Sequence, residues 1–135
     1  NKGIDATIVS KTASGGETSR LMLAIKEILA KQQHLPTILF DEIDTGVSGE
    51  IAEKMGEILA NMGSQRQVIS ITHLPQLAVK GEHHYFVYKD VVDERSITQL
   101  KKLSKEDRVG EVAKMLSGAT MTEAAMNNAR ELLQI

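Results

Sequence analysis

From Gly15 onward, apolar residues fall at Leu21, Ala24, Ile25, Ile28 and Leu29, the spacing of a helix that buries one face. His34-Leu35-Pro36 ends it, and Thr37-Ile38-Leu39-Phe40 follows as a short apolar run closing on acid, the pattern of a buried parallel strand. A loop from Asp44 to Gly49 leads into a second helix, with Ile51, Met55, Ile58, Leu59 and Met62 on one face, Ser48 as N-cap and Gly63 as its stop. Gln67 to Ile71 is the next strand, ahead of Thr72-His73-Leu74-Pro75. Strand, helix and strand with short loops form a βαβ unit, so the two strands are expected to be parallel neighbours. After a short helix around Gln76 to Lys80 the period changes to two. His84 to Lys89 and Ser96 to Leu103 then read as an antiparallel hairpin joined through the acidic turn Asp90 to Glu94. Ser104 caps a helix burying Val109, Val112, Ala113 and Leu116 and ending at Gly118; Thr120 caps another, with Glu123 as its capping-box partner. The opening Gly3 to Ser10 alternates Ile4, Ala6 and Ile8 and suggests a short strand. The predicted class is α/β: a partial parallel sheet flanked by helices, then an antiparallel hairpin and two helices. No repeat or Gly/Ser linker interrupts the chain and prolines number 2, so residues 1–135 are expected to form one domain around one core.

Composition narrows the classes. A chain of 135 residues that is 41% hydrophobic and 25% charged is of ordinary globular make-up, which excludes disorder and low complexity. No apolar run approaches the ~20 residues of a membrane span, and no signal-peptide pattern opens the chain, so a cytosolic protein with no membrane partner is expected. Cysteines number 0, which excludes disulfides and thiolate zinc sites. A net charge of −2 gives no general pull toward nucleic acid, and four aromatic residues (Phe40, Tyr85, Phe86, Tyr88) are too few for a base-stacking surface. Lys101-Lys102 is the only adjacent basic pair and reads as a solvated strand end.

Acidic residues are concentrated. Between Pro36 and Arg66, Asp41, Glu42, Asp44, Glu50, Glu53 and Glu57 face only Lys54 and Arg66. Such a cluster repels itself unless a cation or hydrogen-bond donors compensate, so it marks a place for chemistry. Ahead of it, Ser14-Gly15-Gly16-Glu17 opens the first helix. Bare glycine backbone at a helix N-terminus admits a phosphate, while Ser14 and Glu17 match a capping box, and both readings can hold together. Asp41 and Glu42 sit where a parallel strand ends, the place at which α/β sheets put ligands. One carboxylate there can hold Mg²⁺ while its neighbour orients or deprotonates a water. His73 ends the next strand and is expected at the same sheet edge, able to donate to a phosphate oxygen. His83 and His84 lack partners at metal-ligand spacing, and His34 reads as a helix-end residue. No G-x-x-x-x-G-K-[ST] phosphate loop, hydrolase elbow, HExxH or dinucleotide GxGxxG is present.

Taken in order, Ser14 to Glu17 resembles the signature of the ABC ATPases, Ile38 to Glu42 their Walker B strand, Asp44 to Gly49 their D-loop, and His73 their switch histidine. ABC transporters usually carry Gln after the signature glycines and Pro after the Walker B Glu. Glu17 and Ile43 stand there instead, so the resemblance is to the SMC-like branch of DNA-repair and chromosome ATPases. The runs ASGGETSRLMLAIK, ILFDEIDTGVSG, ITHLPQLA and HHYFVYK look like the C-terminal part of a bacterial member of that branch that repairs DNA double-strand breaks. The likeness extends from about Lys11 to Leu133, leaving Asn1 to Ser10 unmatched.

This resemblance implies ATP and Mg²⁺ as ligands. Asp41 would hold the metal, Glu42 would activate the attacking water, and His73 would contact the γ-phosphate. Asp44 would work across a dimer interface, and Ser14, Gly15, Gly16 and Glu17 would face ATP held by a second head. It further implies a fragment, with the Walker A half lying upstream beyond a long coiled coil, and DNA as partner of a cytoplasmic, nucleoid-associated protein. Such a fragment alone is expected not to turn ATP over. Rival readings are a transporter nucleotide-binding domain, another SMC or Rad50-like head, and a non-catalytic dimerisation or binding module of the same fold.

Overall fold

A computed structural model describes residues 8, 13–92, 95–118 and 121–135. Its elements are α1 (Gly15–Gln32), β1 (Thr37–Asp41), α2 (Gly49–Gly63), β2 (Gln67–Ile71), α3 (Pro75–Ala78), β3 (Tyr85–Val92), β4 (Arg95–Lys102), α4 (Lys105–Ser117) and α5 (Glu123–Leu133). The expected strand over Gly3 to Ser10 lies outside the described residues except for Ile8, which is exposed. The chain divides into two compact units, Asn1–Leu77 and Ala78–Ile135. The expected single core is thus replaced by two, because helix and strand segments on either side of Leu77 bury their apolar residues among themselves. Among the described residues no helix is long and apolar enough to cross a membrane.

In the first unit β1 and β2 are parallel, with register running from Thr37 opposite Gln67 to Asp41 opposite Ile71. Ile38 and Phe40 point into a core with Leu23, Ala30, Ile43, Val47, Ala52, Met55, Leu59, Met62 and Leu77. The alternation of a strand sends Leu39, Ile69 and Ile71 to the opposite face, where they are 52%, 45% and 50% exposed. The expectation of a fully buried strand therefore holds for one face only: the other is apolar and uncovered among the described residues. α1 differs from expectation in the same way. It buries Gly16, Leu23 and Ala30, a narrow seam of seven-residue spacing, and leaves Leu21, Ala24, Ile25, Ile28 and Leu29 exposed. Gly16 and Ala30 flank Leu23 on the buried seam, and the broad apolar face turns away from the helix's own unit. α2 buries Ala52, Met55, Gly56, Leu59 and Met62, while Ile51 and Ile58 stay exposed at its margins. Ser48 is its N-cap by backbone position but makes no side-chain cap bond, and Ser64 rather than Gly63 is the C-cap.

In the second unit β3 and β4 form an antiparallel ribbon, Tyr85 opposite Lys102 through Val92 opposite Arg95. Asp90 and Val91, expected in the turn, belong to β3, and residues 93 and 94 lie outside the described set. α4 and α5 pair through Val109, Val112, Ala113, Ala125, Ala129 and Leu133, with Val79, Leu116 and Met126 packed against them. Ser104 caps α4 by accepting from the Asp107 N–H, and Gly118, at φ 74°, ends it in a conformation that suits glycine. The cap of α5 is Thr122, which accepts from the Ala125 N–H; Thr120 lies outside the described residues, and Glu123 is the first helical residue instead of a capping-box partner.

Candidate nucleotide-phosphate site

Parallel pairing brings the sequence-predicted residues to one edge. Asp41 is the last residue of β1 and pairs with Ile71, the last of β2. The Glu42 N–H extends the ladder by donating to the Ile71 carbonyl at 3.2 Å, so Thr72 and His73 leave β2 beside the Asp41-Glu42 carboxylates. Both carboxylates are exposed. Glu42 adopts φ 47°, a left-handed conformation that a non-glycine residue holds only under constraint. That constraint is visible: its carbonyl accepts from the Thr45 N–H at 3.3 Å and from the Thr45 hydroxyl at 3.1 Å. Periodicity gave no sign of this strained turn.

Ser14 caps α1 in a full capping box. Its N–H donates to Glu17 Oε2 at 2.8 Å, its hydroxyl donates to the same oxygen at 3.0 Å, and the Glu17 N–H donates back to Ser14 Oγ at 3.3 Å. These bonds to Ser14 hold the exposed Glu17 carboxyl below its ordinary range, backbone first and hydroxyl second. The two glycines serve different ends. A Cβ on Gly15 would meet only the Thr45 carbonyl oxygen, at 3.8 Å, whereas one on Gly16 would lie 2.5 Å from the Gly46 carbonyl oxygen. Gly46, at φ 71°, reciprocates: its Cβ would lie 2.9 Å from the Gly16 nitrogen. Gly16 is therefore required for backbone-to-backbone contact with the loop after β1, a packing role the expected phosphate opening did not include, while Gly15 has no such close neighbour. Ser19 tightens the junction by donating to the Thr45 carbonyl at 3.3 Å. Glycines 30 residues apart in sequence carry no signal that they touch, so neither the Gly16–Gly46 contact nor the Ser19 bond is legible from spacing.

Asp44 has a different setting from the one expected of a residue acting across an interface. It is 1% exposed and turned into its own chain. Its Oδ2 accepts from the Thr72 hydroxyl, from the His73 N–H at 3.1 Å, and lies 3.2 Å from His73 Nδ1, while Oδ1 is buried with no hydrogen-bond partner. Thr72 in turn accepts from the Leu74 N–H at 3.0 Å, fixing the turn that presents His73. The His73 side chain is 69% exposed.

Among the described residues no group of three or more His, Asp or Glu side chains is arranged to hold a metal ion by itself. A single exposed carboxylate such as Asp41 fits Mg²⁺, which keeps several waters and is commonly held by one or two carboxylates together with substrate phosphates. Helix N-terminus, strand-end acids and histidine thus converge in the first unit at the carboxyl edge of its sheet.

No protein-family model matches the chain. It is 43% identical over 134 residues to the DNA repair protein RecN of Bacillus subtilis (strain 168), covering 99% of this chain and 23% of that protein. RecN of Vibrio cholerae is 43% identical over 133 residues, covering 98% of this chain and 24% of that protein. RecN of Rickettsia conorii is 44% identical over 135 residues, covering 100% of this chain and 25% of that protein. The chain thus spans about a quarter of the length of these curated relatives. A solved chain described under "Structural biochemistry of ATP-driven dimerization and DNA stimulated activation of SMC ATPases" superposes with a TM-score of 0.62 at 19% identity, covering 87% of this chain and 70% of that one. Along nearly its whole length the chain is thus similar to RecN, and its fold is similar to that of the solved SMC ATPase chain.

Proposed function

We propose that this chain is the signature and Walker B half of an ATP-hydrolysing head in a RecN-like protein that repairs DNA double-strand breaks. Convergence of the α1 N-terminus, Asp41, Glu42 and His73 at one sheet edge is the observation that carries this reading. The missing phosphate loop would come from a Walker A half elsewhere in the same protein. Support for that partner lies in the apolar sheet face of Leu39, Ile69 and Ile71 and the apolar flank of α1, both exposed. Large apolar faces of this kind mark surfaces that another segment covers.

Within the site, Asp41 would hold Mg²⁺, which supplies charge neutralisation at the phosphate oxygens when bound. Glu42, fixed by its strained turn, would orient and deprotonate the attacking water. His73 would hydrogen-bond the γ-phosphate at the position where charge develops. Ser14, Gly15 and Gly16, with Glu17 closing the cap, would face the ATP of a second head, so that nucleotide bridges a head dimer and hydrolysis releases it. Coupling of that cycle to DNA is the proposed output, and the cytoplasm its proposed location.

Glu42→Gln in the full-length protein tests the assignment. Loss of a general base costs typically ~10²–10⁴-fold in rate. Turnover should fall by about that range while ATP binding persists. Wild-type turnover would remove Glu42 from the chemistry.

A further inference from the structure

Asp44 is the only charged side chain buried among the described residues. Burying a carboxylate is expensive unless donors replace its water. Here all the donors reach one oxygen, Oδ2, and all come from the Thr72-His73 segment. Tying two loops together needs only the Thr72 hydroxyl and the His73 backbone N–H, for which a neutral amide would serve. The same oxygen makes a third contact that tying the loops does not need, the 3.2 Å approach to His73 Nδ1.

We infer that Asp44 is a positioning residue: it holds the proton of His73 on Nδ1, fixes the ring's orientation and leaves Nε2 as the nitrogen presented to a ligand. A carboxylate behind an imidazole selects the tautomer in this way in other sites, and which nitrogen carries the proton is set by the hydrogen bond the other makes. All proton exchange with a ligand then runs through Nε2. The neutral ring accepts there, and the ring that has taken up a proton donates there. The consequence for turnover rests on the proposed ATP site, whereas the tautomer does not.

The test is ¹⁵N spectroscopy of the full-length protein labelled at histidine, with the His73 ring assigned by comparison with His73→Ala, at alkaline pH where an imidazole is neutral. The expected wild-type signature is a pyrrole-type Nδ1 and a pyridine-type Nε2. Asp44→Ala should move the proton to Nε2. Asp44→Asn keeps one oxygen for Thr72, the His73 N–H and Nδ1, and so should preserve the fold and leave the proton on Nδ1. A wild-type ring already protonated on Nε2, or a tautomer unmoved in Asp44→Ala, overturns the inference. In ATP turnover, Asp44→Ala should lower kcat by about 10–100-fold, the usual effect of removing a ligand's outer hydrogen-bond partner, with KM little changed. The same substitution placed on His73→Ala should cost nothing more, which a merely structural role would not reproduce. Unaltered turnover in His73→Ala would count against the ATP-site reading and leave the tautomer result to decide the role of Asp44.

Discussion

A methyl group added at Gly16 would collide with the peptide of Gly46, because the nearest atom is backbone and has no rotamer to give way. Overpacking of this kind costs about 1–3 kcal/mol. That exceeds the ~1 kcal/mol that alanine ordinarily gains over glycine inside a helix. Gly16→Ala is therefore expected to lower the urea midpoint of unfolding and to push the α1 N-terminus away from the loop after β1. Gly110, inside α4, provides the contrast, since a Cβ there meets nothing within 4 Å. Gly110→Ala should raise the midpoint by the propensity gain of roughly 0.5–1 kcal/mol. Equal effects at the two positions would show that the Gly16–Gly46 contact does not govern the site's geometry. The same scale explains what sequence could not reveal about individual residues. Asp41, Glu42 and His73 were legible because strand ends announce themselves. The inward turn of Asp44 was not legible, because it depends on where the Thr72 hydroxyl stands after folding.

At the scale of elements, the strands, the helices and the parallel order followed from periodicity and short loops, since each is decided by local spacing. The buried face of α1 differs from the expected one because apolar spacing identifies a face that needs cover without saying what supplies it. The cap of α5 is Thr122 where Thr120 is the expected one, because two threonines this close offer the same capping chemistry to a reading by residue type. One element carries a pH dependence. Arg108 on α4 clasps the loop before β3, donating to the Gly81 and Glu82 carbonyls at 2.9 and 3.1 Å, with His84 Nε2 3.4 Å away. Burial first, and the Arg108 charge second, hold the His84 imidazole below its ordinary value of about 6.5. The fold thus favours the neutral ring. The unfolded chain takes up a proton as pH falls through its own pKa, before the folded ring does. Stability is full above that value and is lost on acidification toward the folded pKa. Denaturant midpoints measured between pH 7.5 and 5.5 should fall, and His84→Gln should flatten that part of the slope. An unchanged slope in the variant would place the sensitivity elsewhere.

For the whole molecule, the central claim is that these residues form half of a composite site, completed by a second head. A symmetric dimer gives that claim a distinctive consequence. Two full-length variants are needed, Glu42→Gln, which disables the water-activating side, and Ser14→Arg, which blocks the signature side. Each alone disables both sites of its own homodimer. In a mixed dimer, one site collects both lesions and the other collects neither. Equal mixing with random assortment puts one intact site of two in half of the dimers, so ATP turnover should recover to about a quarter of wild type. Recovery near that level is the predicted result. Mixed dimers that form, shown by co-purification of differently tagged variants, yet remain as inactive as either parent would contradict a site shared between heads.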